Sequence, residues 1–227
     1  MIAQNVQNIK EKIEECCLKN GRKIADVKLI AVSKYFGVNE IKEAYSASVT
    51  NFGENKAQEL DAKYKELGDL VTWHFIGHLQ LNKVKYVVKP AGIIHSVDSV
   101  KLAEEINKRA LSVGKIQQVL LEIKTSDEAT KFGFKDEDAI FKAADYCSVS
   151  SNLKLTGLMT IAPYTHDSRL IRNCFSSLRT LKEKLNNRGF NLTELSMGMT
   201  NDFEIAIEEG STFVRIGTAI FGERNYN

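Results

Sequence analysis

Along almost the whole chain the hydrophobic period switches between 2 and 3.6, and this alternation limits the fold more than any other property of the sequence. Apolar runs with strand character stand at residues 27–33, 49–52, 73–76, 92–95, 117–123, 154–158, 192–196 and 212–216. Helical stripes run between them, the cleanest being Ile171, Cys174, Leu178, Leu181 and Leu185. The pattern predicts eight strands, seven helices between them and one leading helix marked by Val6, Ile9, Ile13 and Cys16. Strict βα alternation implies a parallel sheet, and eight units is the number that closes it into a (β/α)8 TIM barrel. A doubly wound open sheet would call for a glycine-rich dinucleotide turn, and the sequence has no G-x-G-x-x-G. The chain stops at Asn227, soon after the eighth strand, so the leading helix is expected to cover the ground of an eighth outer helix.

Composition narrows the class. With 227 residues, 43% hydrophobic and 26% charged, the chain has enough apolar content to bury one large core, and residues 1–227 read as a single domain. A formal charge of +2 and the lack of a basic block with interleaved aromatics argue against nucleic acid as a partner. Cys16, Cys17, Cys147 and Cys174 form no C-x-x-C and no secreted-type framework, which suits reduced, packed thiols and a cytoplasmic location. No stretch approaches the roughly 18 apolar residues of a membrane span, and the N-terminus has no signal-peptide core. Barrel packing accounts for the apolar helix faces, leaving no coiled-coil seam to argue for a tight dimer.

In a barrel of this kind the functional groups sit on the loops after the strands, and phosphate sites favour the loops after strands seven and eight. Residues 195–222 contain both of those loops. Asn201 stands three residues before Glu204, which reads as a capping box opening a helix whose free amides favour negative charge. Gly217-Thr218 ends the eighth strand, where the missing Cβ lets amides approach a ligand. Alternation puts Phe213, Arg215 and Gly217 on one face, and Arg215 is equally well a structural ion-pair partner or a ligand contact. Lys34 shares the face of Ile30 and Val32 at the mouth end of an apolar strand, where desolvation disfavours the ammonium and frees an amine for Schiff-base chemistry. A lysine and a phosphate cradle across one mouth suggest either an aldolase or pyridoxal 5'-phosphate (PLP). Ser96 or Asp98 is expected to cap the fifth helix, and Glu122 either points into the mouth or serves as a paired structural carboxylate. His74 and His78, four apart on a strand and its turn, do not share the helix face that metal pairs use, so no metal site is expected.

The runs AVSK at 31–34, NFGEN at 51–55, WHFIGHLQLNK at 73–83, GLMTIAP at 157–163, LSMGMTNDF at 195–203 and VRIGTAIFG at 214–222 resemble the pyridoxal phosphate homeostasis protein family, also called the YggS or PROSC family. The resemblance spans nearly the whole chain and implies a barrel like that of bacterial alanine racemase, with PLP as a Schiff base on Lys34. It further implies that Arg215 faces the pyridine nitrogen, that Thr200, Gly217 and Thr218 hold the phosphate, and that Asn55 lies close to the ring. Thr200 stands where many members have serine, and Phe36 where many bacterial members have a second lysine, while Lys131 lies in a KFGF run similar to the family's KSGF. An arginine at the pyridine nitrogen keeps it unprotonated and weakens the electron sink, which disfavours transamination. Alanine racemases complete their site with a tyrosine from a second domain, and the sequence ends before such a domain. The resemblance therefore implies a PLP-holding protein of vitamin B6 homeostasis, a monomer or weak dimer, passing PLP to apo-enzymes or free amines without robust turnover. A PLP-dependent amino-acid racemase and a cofactor-free Schiff-base aldolase are the alternatives.

Overall fold

The structure is a computed structural model and describes residues 1–126 and 132–222. In chain order the elements are α1 (Ile2–Lys19), β1 (Lys28–Val32), α2 (Val38–Ser46), β2 (Asn51–Glu54), α3 (Ala57–Leu67), β3 (Thr72–Phe75), α4 (Val84–Val87), β4 (Ile93–Val97), α5 (Val100–Ser112), β5 (Gln117–Glu122), α6 (Glu137–Val149), β6 (Leu153–Met159), α7 (Ser168–Asn187), β7 (Glu194–Ser196), α8 (Phe203–Glu208), β8 (Phe213–Ile216) and α9 (Thr218–Phe221). Each strand runs parallel to the next, and β8 pairs with β1 from Lys28↔Phe213 to Ala31↔Ile216, closing the barrel. The expected architecture is therefore the observed one.

Period-2 alternation divides the side chains between two cores. Ile30, Ile93, Leu120, Met159 and Phe213 form an apolar cluster inside the barrel. Their sequence neighbours, such as Ala31, Ile94, Leu121, Leu158 and Val214, face outward into the larger layer under the helices. On α7 the stripe behaves as its spacing predicts, burying Ile171, Cys174, Phe175, Leu178 and Leu185, with Leu181 half-buried. Each fully buried large apolar side chain contributes about 1.5 to 3 kcal/mol, which is why amphipathic period alone fixes this helix against the sheet.

The leading helix occupies the seam between the ends of the chain. Val6, Ile9, Ile13 and Cys16 face inward, Asn5 Nδ2 donates to Ile220 O at 2.9 Å, and Cys16 Sγ donates to Glu204 O at 3.5 Å. Just beyond it, Arg22 donates to Ile207 O at 2.7 Å and to Ser211 O at 2.8 Å. Thus α1 covers the β8–β1 seam together with the four-residue α9 that follows β8.

Four local expectations are corrected. The second strand lies at Asn51–Glu54, two residues later than its apolar run, because Glu54 is buried against Lys63 and continues the strand while Val49 packs in the preceding loop. The fourth strand extends past His95 to Val97 through a register shift between Ile94 and Val97. Ser96 therefore belongs to the strand, and the cap of α5 is Ser99, whose Oγ accepts from Leu102 N at 3.3 Å, in place of Ser96 or Asp98. No capping box forms at Asn201 and Glu204: α8 begins at Phe203 with Asp202 in the cap position, and the Asp202 carboxylate accepts from Met199 N at 2.5 Å, tying down the loop ahead of the helix.

Candidate functional site

Lys34 follows β1 by two residues, half-buried at the C-terminal end of the barrel. Its flanking peptide groups are clamped from α3. Lys63 Nζ donates to Ser33 O at 2.8 Å, and Glu59 Oε1 accepts from Tyr35 N at 2.7 Å, so the backbone on both sides of Lys34 is held by one i,i+4 pair. Lys63 also bonds Glu54 Oε1 at 2.6 Å and Glu59 Oε1 at 2.8 Å, and Ser33 Oγ donates to Glu54 Oε1 at 2.6 Å. Burial pushes the Glu54 carboxyl up from its ordinary range, with Lys63 and Ser33 pulling the other way. The clamp holds a conformation that costs energy, because Tyr35 sits at φ 70°, a left-handed geometry worth roughly 1 to 3 kcal/mol of strain for a bulky residue. Sequence reasoning missed Glu59 and Lys63; their only signal was i,i+4 spacing, which most often marks a solvated helix face.

On the neighbouring strand, Asn55 stands just past Glu54. Its backbone runs so close to Gly77 that a Cβ at that glycine would lie 2.3 Å from Asn55 O. The Asn55 Oδ1 atom is buried with no hydrogen-bond partner, as is Ser96 Oγ on β4. A buried polar atom left without a partner costs about 1 to 3 kcal/mol, so such atoms beside a barrel mouth mark where a ligand's polar groups belong.

Arg215, on the other side of β1, is buried and faces inward from β8. It is held by neutral acceptors: one Nη donates to Ser196 Oγ at 2.7 Å and the other to Thr160 O at 2.9 Å. Burial lowers its pKa to about 10, which leaves the guanidinium charged at neutral pH. The loop after β7 turns at Gly198, whose φ of 94° and approach to Ala206 (2.5 Å from a built Cβ) admit no side chain, and Gly198 O accepts from Arg215 N at 2.9 Å. Thr200 lies half-buried on that loop, and Gly217 and Thr218 begin α9 at the rim, where first-turn amides have no intrahelical acceptor. Lys34, Asn55, Thr200, Arg215, Gly217 and Thr218 therefore come from four consecutive strand ends, in the order β7, β8, β1, β2. Lys131 lies outside the described residues. Phe36 stacks on Phe221 with ring centroids 4.9 Å apart, so it packs against α9.

Opposite this arc, Glu122 is 7% exposed at the end of β5. Burial and then the charge of Asp98 raise its carboxyl to about 7, against the opposing pull of Arg215. His78 pairs with Asp98 at 3.3 Å and stacks on Phe132 at 3.6 Å between centroids. Below the mouth, the barrel interior carries a polar chain that the sequence did not reveal. His74 Nδ1 lies 2.9 Å from His95 Nε2, His74 Nε2 lies 3.1 Å from Asn51 Oδ1, and His95 Nδ1 lies 2.9 Å from Ser196 Oγ. Phe213 packs edge-on against both rings. Burial takes His74 down to about 3 and His95 well below its ordinary range, so both are neutral.

A groove of about 560 Å³ lies apart from the mouth, beside α7, and contains none of these residues. The mouth is the better candidate because charged, orphaned and left-handed groups converge there. Among the described residues, no helix is long and apolar enough to cross a membrane. Residues 1–225 match the family model described as alanine racemase, N-terminal domain. The pyridoxal phosphate homeostasis protein of Aquifex aeolicus is 43% identical over 226 residues, covering 98% of both chains. Among solved structures, PipY of Synechococcus elongatus PCC7942 with PLP bound is 35% identical, with a TM-score of 0.86 over 98% of this chain and 100% of that one. The alanine racemase of Clostridium difficile 630 shares the fold at 16% identity and a TM-score of 0.79, over 99% of this chain and 58% of that one.

Proposed function

We propose that this chain, which belongs to the family of pyridoxal phosphate homeostasis proteins built on the alanine racemase N-terminal domain, binds PLP at the barrel mouth and acts in cytoplasmic PLP homeostasis as one unit of 227 residues. The observation that carries the reading is a match along both full lengths to relatives of that name, joined to a half-buried lysine at the mouth. When bound, PLP supplies an aldehyde that condenses with the Lys34 amine as a Schiff base, with loss of water.

The residues present fit such a group. The clamp on Ser33 and Tyr35 fixes where the Lys34 side chain starts. Asn55 contributes a buried acceptor that the protein itself leaves unpaired. Arg215, cationic and acceptor-free, donates toward a ring nitrogen and keeps that nitrogen from being protonated. Thr200, Gly217 and Thr218 take the phosphate on a hydroxyl and on amides unobstructed by side chains. An unprotonated ring nitrogen weakens the electron sink, so the site holds the cofactor and supports little carbanion chemistry. Free amines or apo-enzymes are the expected recipients of PLP.

Absorption spectroscopy of the purified protein followed by borohydride trapping and peptide mapping tests this. The expected result is a yellow protein whose trapped adduct lies on Lys34 and is lost in Lys34→Ala. Equal trapping on another lysine in that variant removes the Lys34 assignment. Following α-proton exchange of single L-amino acids in deuterated water tests the racemase alternative: turnover near the roughly 10 per second typical of enzymes, abolished by Lys34→Ala, would replace the holding role.

A further inference from the structure

We infer that His74 and His95 are positioning residues: with Asn51 and Ser196 they form a one-way chain of neutral hydrogen bonds across the barrel interior that holds the Arg215 guanidinium in a single orientation at the mouth.

The direction of the chain follows from its ends. Arg215 has N–H donors and no acceptor, so at 2.7 Å it must donate to Ser196 Oγ. Ser196 is fully buried, and its own hydrogen needs an acceptor, which His95 Nδ1 supplies at 2.9 Å. An accepting Nδ1 in a neutral ring puts the proton on Nε2, so His95 Nε2 donates to His74 Nδ1 at 2.9 Å. The same step repeats: His74 carries its proton on Nε2 and gives it to Asn51 Oδ1 at 3.1 Å. Asn51 Nδ2 then donates onward to Thr50 Oγ1 at 3.3 Å, at the exposed start of β2. Every donor along this path meets an acceptor. The reverse polarity fails at the mouth, where Ser196 Oγ would accept from both His95 and Arg215 and leave its own hydrogen without a partner.

The chain cannot conduct protons, because a guanidinium at one end offers no lone pair. It acts as a latch. Both nitrogens of each ring are committed and both rings are wedged edge-on against Phe213, with centroids 5.4 and 5.5 Å away. Protonation of either ring would turn an acceptor into a donor facing a donor, with Arg215 close by. The rings thus remain neutral, and Ser196 stays an acceptor for Arg215. This places the orienting groups for a β8 residue on β2, β3, β4 and β7.

Only the last step, from Arg215 to the cofactor ring, rests on the PLP reading. The tautomers are therefore measured first on the apo-protein, by long-range ¹H–¹⁵N correlation spectra of labelled histidine. Both rings should be neutral Nε2–H tautomers. An Nδ1–H tautomer on either ring, or a protonated ring at neutral pH, overturns the chain. Asn51→Leu removes the terminal acceptor and should mix the tautomers of His74, while Asn51→Asp, which still accepts, should restore Nε2–H; a His74 signal identical in all three proteins also overturns it. Ser196→Ala then tests the effect on the mouth, with about tenfold weaker PLP binding and a displaced absorption maximum expected from the loss of one hydrogen bond to a charged group. Wild-type affinity and spectrum in a folded Ser196→Ala protein would show that the latch does not act on the site. If the wild-type protein takes up no PLP, the PLP reading falls while the apo-protein spectra still judge the chain.

Discussion

Two buried polar networks flank the mouth, and they solve the same problem with opposite chemistry. Outside the barrel wall, Lys63, Glu54 and Glu59 hold the backbone around Lys34 with full charges at 2.6 to 2.8 Å. Inside it, Asn51, His74, His95 and Ser196 hold the side chain of Arg215 with uncharged rings, an amide and a hydroxyl. A peptide group carries no net charge, so ions of both signs can grip it, one at its carbonyl and one at its N–H, without repulsion. A guanidinium already brings a charge, and a second cation beneath it would repel it. The difference teaches that burial does not choose between charged and neutral networks; the group being positioned does.

The largest test strikes the charged side. Lys63→Met strands the buried Glu54 carboxylate and the Ser33 carbonyl and leaves the half-buried Glu59 without its cation, and breaking a buried ion pair in this way costs about 3 to 5 kcal/mol. Urea unfolding should register that loss, together with lower borohydride trapping at Lys34. A loss under about 1 kcal/mol would remove the distinction between the networks, since the ionic clamp would then hold nothing.

Glu122 comes next, standing at the mouth with Arg215. Its folded pKa of about 7 lies above the ordinary 4.5, so the unfolded chain ionises first and stability falls as pH rises from 4.5 through 7. By pH 8 the cost approaches about 3 kcal/mol. Glu122→Gln should therefore be more stable than wild type at pH 8, with the two converging below pH 4.5 in urea titrations. Parallel curves at all pH values would mean that the carboxyl ionises without penalty.

The neutral side responds to acid with the opposite sign. His74, at about 3 when folded, is lowered from 6.5, so its contribution is complete above pH 6.5 and is lost as pH falls toward 3. Between pH 6.5 and 5 the loss is about 2 kcal/mol. His74→Phe should flatten this part of the profile relative to wild type, and identical slopes would show that the ring takes up a proton without cost.

The smallest effect sharpens the clamp itself. Glu59→Gln keeps an acceptor for Tyr35 N and removes the charge facing Lys63, so a loss of about 1 kcal/mol is expected, against the larger loss in Lys63→Met. Equal losses would mean that charge is irrelevant to the grip on the turn.

What the sequence made legible follows the same line. The eight strands and the inward placement of Ile30, Phe213 and Arg215 were readable because alternation is local and each residue's face follows from its neighbour's. Lys34 and Gly217 extend those same rows at the mouth. Glu54 falls outside the apolar run at 49–52 because a charged residue does not look like strand; its burial depends on Lys63, nine residues away on α3. The histidine chain was unreadable for a stronger reason. Its members lie on four strands, and nothing at His74 indicates that His95 comes within 2.9 Å. Caps failed where several candidates stood together: Ser96, Asp98 and Ser99 all carry suitable oxygens, and the bulge in β4 decided for the last. At Asn201 the spacing to Glu204 was right, but Asp202 was already bound to Met199 N, and the helix opened one residue later than a box would require.

The seating of α1 bears on how the molecule is made. This helix is made before the barrel strands, yet Asn5 waits for Ile220 and Cys16 for Glu204, partners translated 215 and 188 residues later. Contacts of such sequence separation form late and slow folding. Until β8 is released, the β8–β1 seam stays open and the face of α1 toward α8 and α9 has no seat, although its contact with α2 is already available. A nascent chain of this protein thus carries a partly covered α1 until β8 is made, and it becomes a barrel only after that strand emerges.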